Sequence, residues 1–503
     1  MAAAQRPVFR ELPTTGSFKQ ESVRSGAIVL LGQVSGAGLQ LGTTIVLARL
    51  LSPADYGLQT MVLSMINFLT LFRDAGLSSA AIQRENLTHE QASTLFWINS
   101  AVGFALAALS GIMAPVLASF YRDPRLFWVT IASSVVFIFN GIATQHHALL
   151  DRSLRFGASV KIAMFSGVAG TAVAIVMAER GFGYWALIGQ NIVIPVVDLA
   201  AVWIALPWVP GRPRGGSDIY SMLRFGGTVS LNSVVVYFAY NTEKILLGRY
   251  WGATALGIYG RAYQLISLPV QQLLSSISSV SFPVLSRMQN DLDRLRRSYL
   301  KFHAATVSIT IPAVVSCALF SNEIVRVLLG PKWVDAGVVL RLLAPTFLVL
   351  AAINPLSWYL RAVGWVGRNL RIAFILAPVV ILGVAAGIQR GPMGVAAGYS
   401  IAMVVLAGPL VAWAKYRTVI TTSDFLGCIQ PPLVSSVAGG AFGILFKMAC
   451  APTLPKIGLL TGELVVFFGV YAAVLLLVLR QKAFYFDVLA QLLHRHREVP
   501  EIS

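Results

Sequence analysis

Apolar runs of about 20 residues follow one another along almost the whole chain, and that is the length an α-helix needs to cross the roughly 30 Å hydrocarbon layer of a bilayer. Fourteen such runs predict helices near 26–48, 56–77, 93–118, 126–149, 157–178, 182–206, 223–247, 255–285, 302–328, 335–360, 368–389, 392–414, 430–451 and 457–480. Inside that layer no water can satisfy the backbone, so a spanning chain must close its hydrogen bonds within helices or a barrel. Runs this long select helices. Charged residues make up 12% of the 503, about half of what a soluble domain carries. The fold class expected is an all-α membrane protein.

A second feature orders these helices. The chain repeats itself at an offset of 200 residues without a gap: Arg24, Gly26, Val29, Leu31, Val34, Ile45, Leu47, Arg49, Gly57, Ile66, Ser78 and Ser79 return as Arg224, Gly226, Val229, Leu231, Val234, Ile245, Leu247, Arg249, Gly257, Ile266, Ser278 and Ser279. Those are 12 identities over the 61 positions 23–83. A duplicated bundle of membrane helices is the frame of a carrier with its site between the halves. With six spans per half, both halves face the same way and the repeat axis runs along the membrane normal. The expected organisation is an N-terminal cytoplasmic segment (1–25), an N-lobe of helices 1–6 (26–206), a Pro-, Gly- and Arg-rich linker (207–222) and a C-lobe of helices 7–12 (223–414). Two further helices (430–480) and a polar tail (481–503) follow. The polar stretch 286–301, with Leu292, Leu295 and Tyr299, reads as a short interfacial helix.

The net charge of +18 raises nucleic acid as a partner, but the cations sit in short loops between apolar runs rather than in one groove or tail. They point to anionic lipid headgroups or an anionic lipid-linked substrate, and nucleic acid is excluded. Lys and Arg are retained on the cytoplasmic side. With the N-terminus inside, inner segments carry 26 of the 39 cations and outer loops 10, while Lys244, Arg261 and Arg341 lie within spans. That asymmetry predicts both termini inside and an even number of helices. Cys317, Cys428 and Cys450 are far apart and show no ligand spacing. The first apolar run is too long for the core of a cleavable signal peptide. No nucleophile–base arrangement, P-loop or metal spacing is present, so no cofactor and no catalysis are expected.

Ionisable groups in spans are costly and mark cavities or partners. Lys244, Arg261 and Arg341 fall near the outer ends of their helices, with Asn241 and Glu243 beside Lys244. The repeat places Thr44 opposite Lys244 and Met61 opposite Arg261, so the first half lacks this cationic set. An arginine fork suits a phosphate because it donates two hydrogen bonds at once. Alternatively, Glu243 pairs with Arg261 or Lys244 as a structural bridge while the cations snorkel outward. Arg73 and Asp74 at the inner end of the second span are candidates for binding and ion coupling, or an interfacial anchor. Asp198, three residues after Pro195, either binds sodium or a proton beside freed carbonyls or hydrogen-bonds a neighbouring helix. Asn140, Gln145, His146 and His147 contact sugars or meet headgroups.

Several runs resemble one family. They are Arg49-Leu50-Leu51-Ser52-Pro53-Ala54-Asp55-Tyr56-Gly57, Asp74-Ala75-Gly76-Leu77-Ser78-Ser79-Ala80-Ala81-Ile82-Gln83-Arg84, Phe96-Trp97-Ile98-Asn99, Arg152-Ser153-Leu154-Arg155-Phe156 and the stretch Gly181 to Gln190. In the second half, Asn241 to Arg249, Tyr259 to Leu265 and Phe282 to Arg287 fit the same pattern, with Glu at 243 where Asp is expected. The chain is similar, from about 20 to 420, to the polysaccharide transport (Wzx-type) branch of the multidrug/oligosaccharidyl-lipid/polysaccharide exporter superfamily. That resemblance implies a fourteen-helix, two-lobed flippase in the bacterial inner membrane, moving undecaprenyl-pyrophosphate-linked oligosaccharides alongside the glycosyltransferases and polymerase of the same pathway. The rival within transport is a drug/cation antiporter, which would favour buried carboxylates. A membrane polymerase or glycosyltransferase would need a substantial outer loop, and every outer loop here is short.

Overall fold

The structure, a computed structural model, describes residues 15–73, 88–213 and 218–482, and every regular element among them is a helix. The chain divides into two compact units, residues 1–257 and 258–503. The first holds α1 (Thr15–Leu50), α2 (Pro53–Arg73), α3 (His89–Tyr121), α4 (Arg125–Arg152), α5 (Phe156–Glu179), α6 (Tyr184–Ala205) and α7 (Asp218–Arg287) as far as Gly257. The second holds the rest of α7, then α8 (Leu292–Leu319), α9 (Ser321–Leu328), α10 (Val334–Ala362), α11 (Val366–Gly387), α12 (Gly391–Lys415), α13 (Thr422–Cys450) and α14 (Lys456–Ala473). The division falls inside α7, C-terminal to the expected linker, of which 214–217 lie outside the described residues, as do 1–14 of the N-terminal segment and 483–503 of the tail.

Local chemistry fixes where these helices begin. In the Leu51 to Gly57 run, Ser52 hydroxyl and backbone N–H donate to Asp55 Oδ2 (2.6 and 2.9 Å), and Pro53 takes the first helical position. This is an N-terminal cap with its reciprocal acid three residues on. Thr88 with Gln91 opens α3 and Thr421 with Asp424 opens α13 by the same device. Between α3 and α4, Arg125 donates to Asp123 through its guanidinium (3.0 and 2.7 Å), which holds that loop carboxyl below the usual carboxylate range.

The repeat has a physical counterpart within the first unit. A Cβ on Gly57 would lie 1.8 Å from the Ala253 carbonyl oxygen, and one on Gly257 would lie 1.9 Å from the Pro53 carbonyl oxygen. Positions 53 and 57 of α2 thus meet 253 and 257 of α7 reciprocally, a local two-fold contact built from repeat-related residues. Only glycine lets two helix backbones approach this closely. Just before it, Gly252 leaves helical geometry at φ +76°, the corner that splits α7. In the second unit the same small-residue packing recurs between α11 and α12, where Gly383 and Gly387 face Gly398 and Gly394.

The outward faces are apolar: Ile112 is 71%, Ile204 82% and Met448 74% exposed. Large apolar side chains turned outward along long helices are what a lipid environment requires. This is an all-α, multi-pass membrane protein. Among the described residues, helices lie over the apolar runs read from the sequence, the second of them as far as Arg73. Ten segments among the described residues are long and apolar enough to cross a membrane, and two of them, Asn241–Arg287 and Phe374–Lys415, are 47 and 42 residues long with a break inside.

Two local expectations change. The stretch 286–301 is not a separate interfacial helix: from Leu292 it is the first part of α8, capped by Asp291 accepting from the Arg294 N–H at 3.0 Å. Its Arg296 donates twice to Asp424 (2.9 and 2.8 Å), joining the starts of α8 and α13. At the far end, the run 302–328 breaks at Phe320, and α9 becomes a short helix of its own.

Candidate functional site

Asn241, Glu243 and Lys244 come together on the first segment of α7. Lys244 Nζ donates to Asn241 Oδ1 at 2.9 Å and lies 3.9 Å from Glu243 Oε1, while Asn241 Nδ2 donates to the Tyr237 carbonyl at 3.0 Å. The spacing 237, 241, 244 puts these groups on one helical stripe. Tyr237 hydroxyl donates to the Ser64 carbonyl of α2, and its ring packs on Phe68. Glu243 is 1% exposed, and neither carboxylate oxygen has a hydrogen-bond donor. At the repeat-related positions Thr44 and Met61 are both buried, with the Met61 methyl packed near Gly248.

Arg261 and Arg341 belong to the second unit. Arg261 is half-buried and donates to Gln264 Oε1, whereas the Arg341 side chain is exposed on α10. Tyr263 meets Phe347 (ring centroids 5.3 Å apart) and Arg361 lies 5.7 Å over Phe282, so the second segment of α7 and α10 run parallel. Arg261 and Arg341 precede the first of these contacts on their respective helices and therefore sit toward the same end of this unit. Arg73 closes α2 with a half-buried side chain, and Asp74 lies outside the described residues.

Asp198 is bound to its neighbour: His147 Nε2 of α4 lies 2.7 Å from Asp198 Oδ2 on α6, with the Asp151 carboxylate acting electrostatically on the same imidazole. Next to it, His146 is fully buried, donates through Nε2 to the Trp208 carbonyl (3.1 Å) and stacks on Trp203 at 4.5 Å. Trp208 Nε1 donates in turn to His89 Nδ1 (3.1 Å), and Trp97 Nε1 to the Gly211 carbonyl (2.9 Å). The expected sugar or headgroup contacts of His146 are thus replaced by bonds to the chain's own aromatic core. Gln145 is fully buried with neither amide atom hydrogen-bonded, and the Asn140 carbonyl accepts from Thr144.

A third group was missed by the sequence reading. Glu323 of α9, Lys447 of α13 and Glu463 of α14 interact with one another in the second unit. Glu463 stands alone as a charge in the run 457–479, a signal present in the sequence. Glu323 and Lys447 fall near the ends of the runs 302–328 and 430–451, where charge is common and carries little signal.

A multi-pass helical carrier frame with charged groups held inside spans defines a class, and comparison with known proteins narrows it. Residues 46–337 match the family described as "Polysaccharide biosynthesis protein". The chain belongs to that family. It is 25% identical over 399 residues to the lipopolysaccharide biosynthesis protein WzxC of Escherichia coli (strain K12), covering 77% of this chain and 80% of that protein. It is 28% identical over 397 residues to the teichuronic acid biosynthesis protein TuaB of Bacillus subtilis (strain 168), covering 75% and 79%. The fold matches that of the lipid II flippase MurJ in an inward closed conformation, with a TM-score of 0.72 and 15% identity over 93% of this chain and 100% of that one.

Proposed function

We propose that this protein flips undecaprenyl-pyrophosphate-linked oligosaccharides from the cytoplasmic to the outer leaflet of the bacterial inner membrane by alternating access, for the synthesis of exopolysaccharide, capsule or lipopolysaccharide. The observation that carries the reading is the family match over 46–337. The fold shared with a lipid II flippase supports it, because lipid II presents the same chemical problem: a charged, sugar-bearing headgroup on a long lipid. Relatives named for lipopolysaccharide and teichuronic acid biosynthesis favour a polysaccharide substrate over the cationic drugs of the antiporter alternative. The activity is transport without a catalytic step.

In this reading the chain crosses the membrane fourteen times with both termini in the cytoplasm. Arg261 and Arg341 receive the pyrophosphate, with Lys244, Asn241 and Arg73 as further contacts. Arg341, exposed and carrying a planar fork, is the first choice for a bidentate phosphate contact. Asp198, with Glu243 and Asp74 as further candidates, couples transport to a proton or sodium. Partners are the lipid-linked substrate, membrane lipids, and the glycosyltransferases and polymerase that act before and after it. The test is a flippase-deficient strain complemented with Arg341→Gln. Polymer export is expected to fall by about tenfold or more, the worth of one charge-assisted contact, with unchanged protein in the membrane and lipid-linked sugar accumulating. Wild-type export by that variant overturns the assignment of Arg341.

A further inference from the structure

Glu463 is an acid closed off from solvent: its side chain is 0% exposed and neither carboxylate oxygen has a hydrogen-bond donor. Two elements bring charge to it. From α9 comes Glu323, whose Oε2 is likewise buried and unpartnered, and from α13 comes Lys447, whose Nζ donates to Glu323 Oε1 at 2.6 Å. The packing that assembles them is close. A Cβ on Gly443, one turn before Lys447, would lie 2.7 Å from the Phe320 ring and 3.6 Å from the Glu463 carbonyl. Phe320 and Phe467, both fully buried, wall the group with an edge-to-face contact at 6.0 Å. Elsewhere on the packed elements, Tyr471 hydroxyl donates to the Ser308 carbonyl of α8, Arg326 of α9 and Lys456 of α14 are exposed, and Ser321 Oγ of α9 and Ser435 Oγ of α13 are buried without a partner.

The charge count does not close. Two carboxylates face one ammonium, and Lys447 is already engaged by Glu323. An ionised carboxylate without donors in such a site costs several kcal/mol, whereas a proton on it removes the cost and leaves a neutral set. Lys447 lies three residues before the end of α13 and is partly exposed, and the turn 451–455 beyond it is exposed throughout. Water on that face therefore reaches the lysine.

We propose that Glu463, Glu323 and Lys447 form an exchangeable proton-binding site in the second unit, loaded and emptied from the membrane face that carries the α13–α14 turn. On release, the Glu463 O–H bond breaks, water takes the proton, and Lys447 is shared between two carboxylates. Both α13 and α14 lie beyond the stretch 46–337 that matches the family, and Glu323 lies within it. The site stands whatever substrate the carrier moves, and it offers a coupling ion to a carrier that needs one.

The test is infrared difference spectroscopy on the purified full-length protein, stepped from mildly acidic to mildly alkaline potassium buffer. Wild type is expected to show a protonated-carboxyl stretch that fades as pH rises, read as the difference from Glu463→Gln so that any band of Glu243 cancels, and Glu463→Gln to keep a wild-type melting temperature. Lys447→Gln removes the neighbouring positive charge, so the band should persist to higher pH. Glu323→Gln removes a negative one, so it should fade at lower pH. These opposed shifts decide the matter even if Glu463→Gln fails to fold. A spectrum that Glu463→Gln leaves unchanged, or a Glu463 component that never titrates or ignores both neighbours, overturns the proposal. So does selective thermal stabilisation by sodium that is lost in Glu463→Gln, which marks a metal-cation site instead.

Discussion

His147 and Asp198 show what a single pair adds to a sequence reading. Proline at 195 and an acid at 198 in an apolar run mark a special place, but the partner sits 51 residues away on another helix, at 2.7 Å. Periodicity reports which face a residue occupies, and carries no distance between helices. If this pair couples transport to protons, Asp198→Asn should slow flipping and flatten its pH dependence without lowering the amount of protein in the membrane. Unchanged pH dependence in vesicles carrying the variant assigns the pair to helix packing. The same limit explains Lys244, visible as a buried cation while its ladder to Asn241 and Tyr237 was not. It also explains Glu463, whose importance lies in donors it lacks. Arg341 was legible as a charge in a span, and only its exposure in the fold makes it available to a ligand.

Among the elements, the 200-residue echo was the most legible feature, and its meaning is steric. Gly57 and Gly257 recur because each must accept a backbone carbonyl of the other's helix, at 1.8 and 1.9 Å from where a Cβ would stand. Gly57→Leu or Gly257→Leu should therefore lower the melting temperature, with a cost of about 1–3 kcal/mol or more. Because the contact is reciprocal, either substitution alone should do nearly all the damage of both. Additive losses in the double variant would show that the two glycines act separately. Ser52→Ala, which removes the cap of α2, should cost about 1 kcal/mol by the same thermal assay. Element boundaries were less legible where local chemistry overrides apolar length: the Asp291 cap fuses the amphipathic stretch into α8, and Phe320 breaks the run that follows.

For the whole molecule, composition and run length were enough to fix a helical, multi-pass membrane protein, because lipid leaves so few alternatives. The 26-to-10 distribution of cations predicts the sidedness. Cysteines placed in the α7–α8 turn and in the tail should label only from the cytoplasmic side, and one in the exposed turn 451–455 only from outside. The central claim concerns transport, and one measurement reaches it directly. Proteoliposomes holding the purified protein and a pyrophosphate-linked oligosaccharide lipid are exposed to an enzyme that trims only outward-facing sugar. With wild type, the protected inner pool should become accessible over time, while liposomes with folded Arg341→Gln should lag toward the protein-free rate. An inner pool that stays protected with wild-type protein, supplied with a proton or sodium gradient of either direction, contradicts the flippase account.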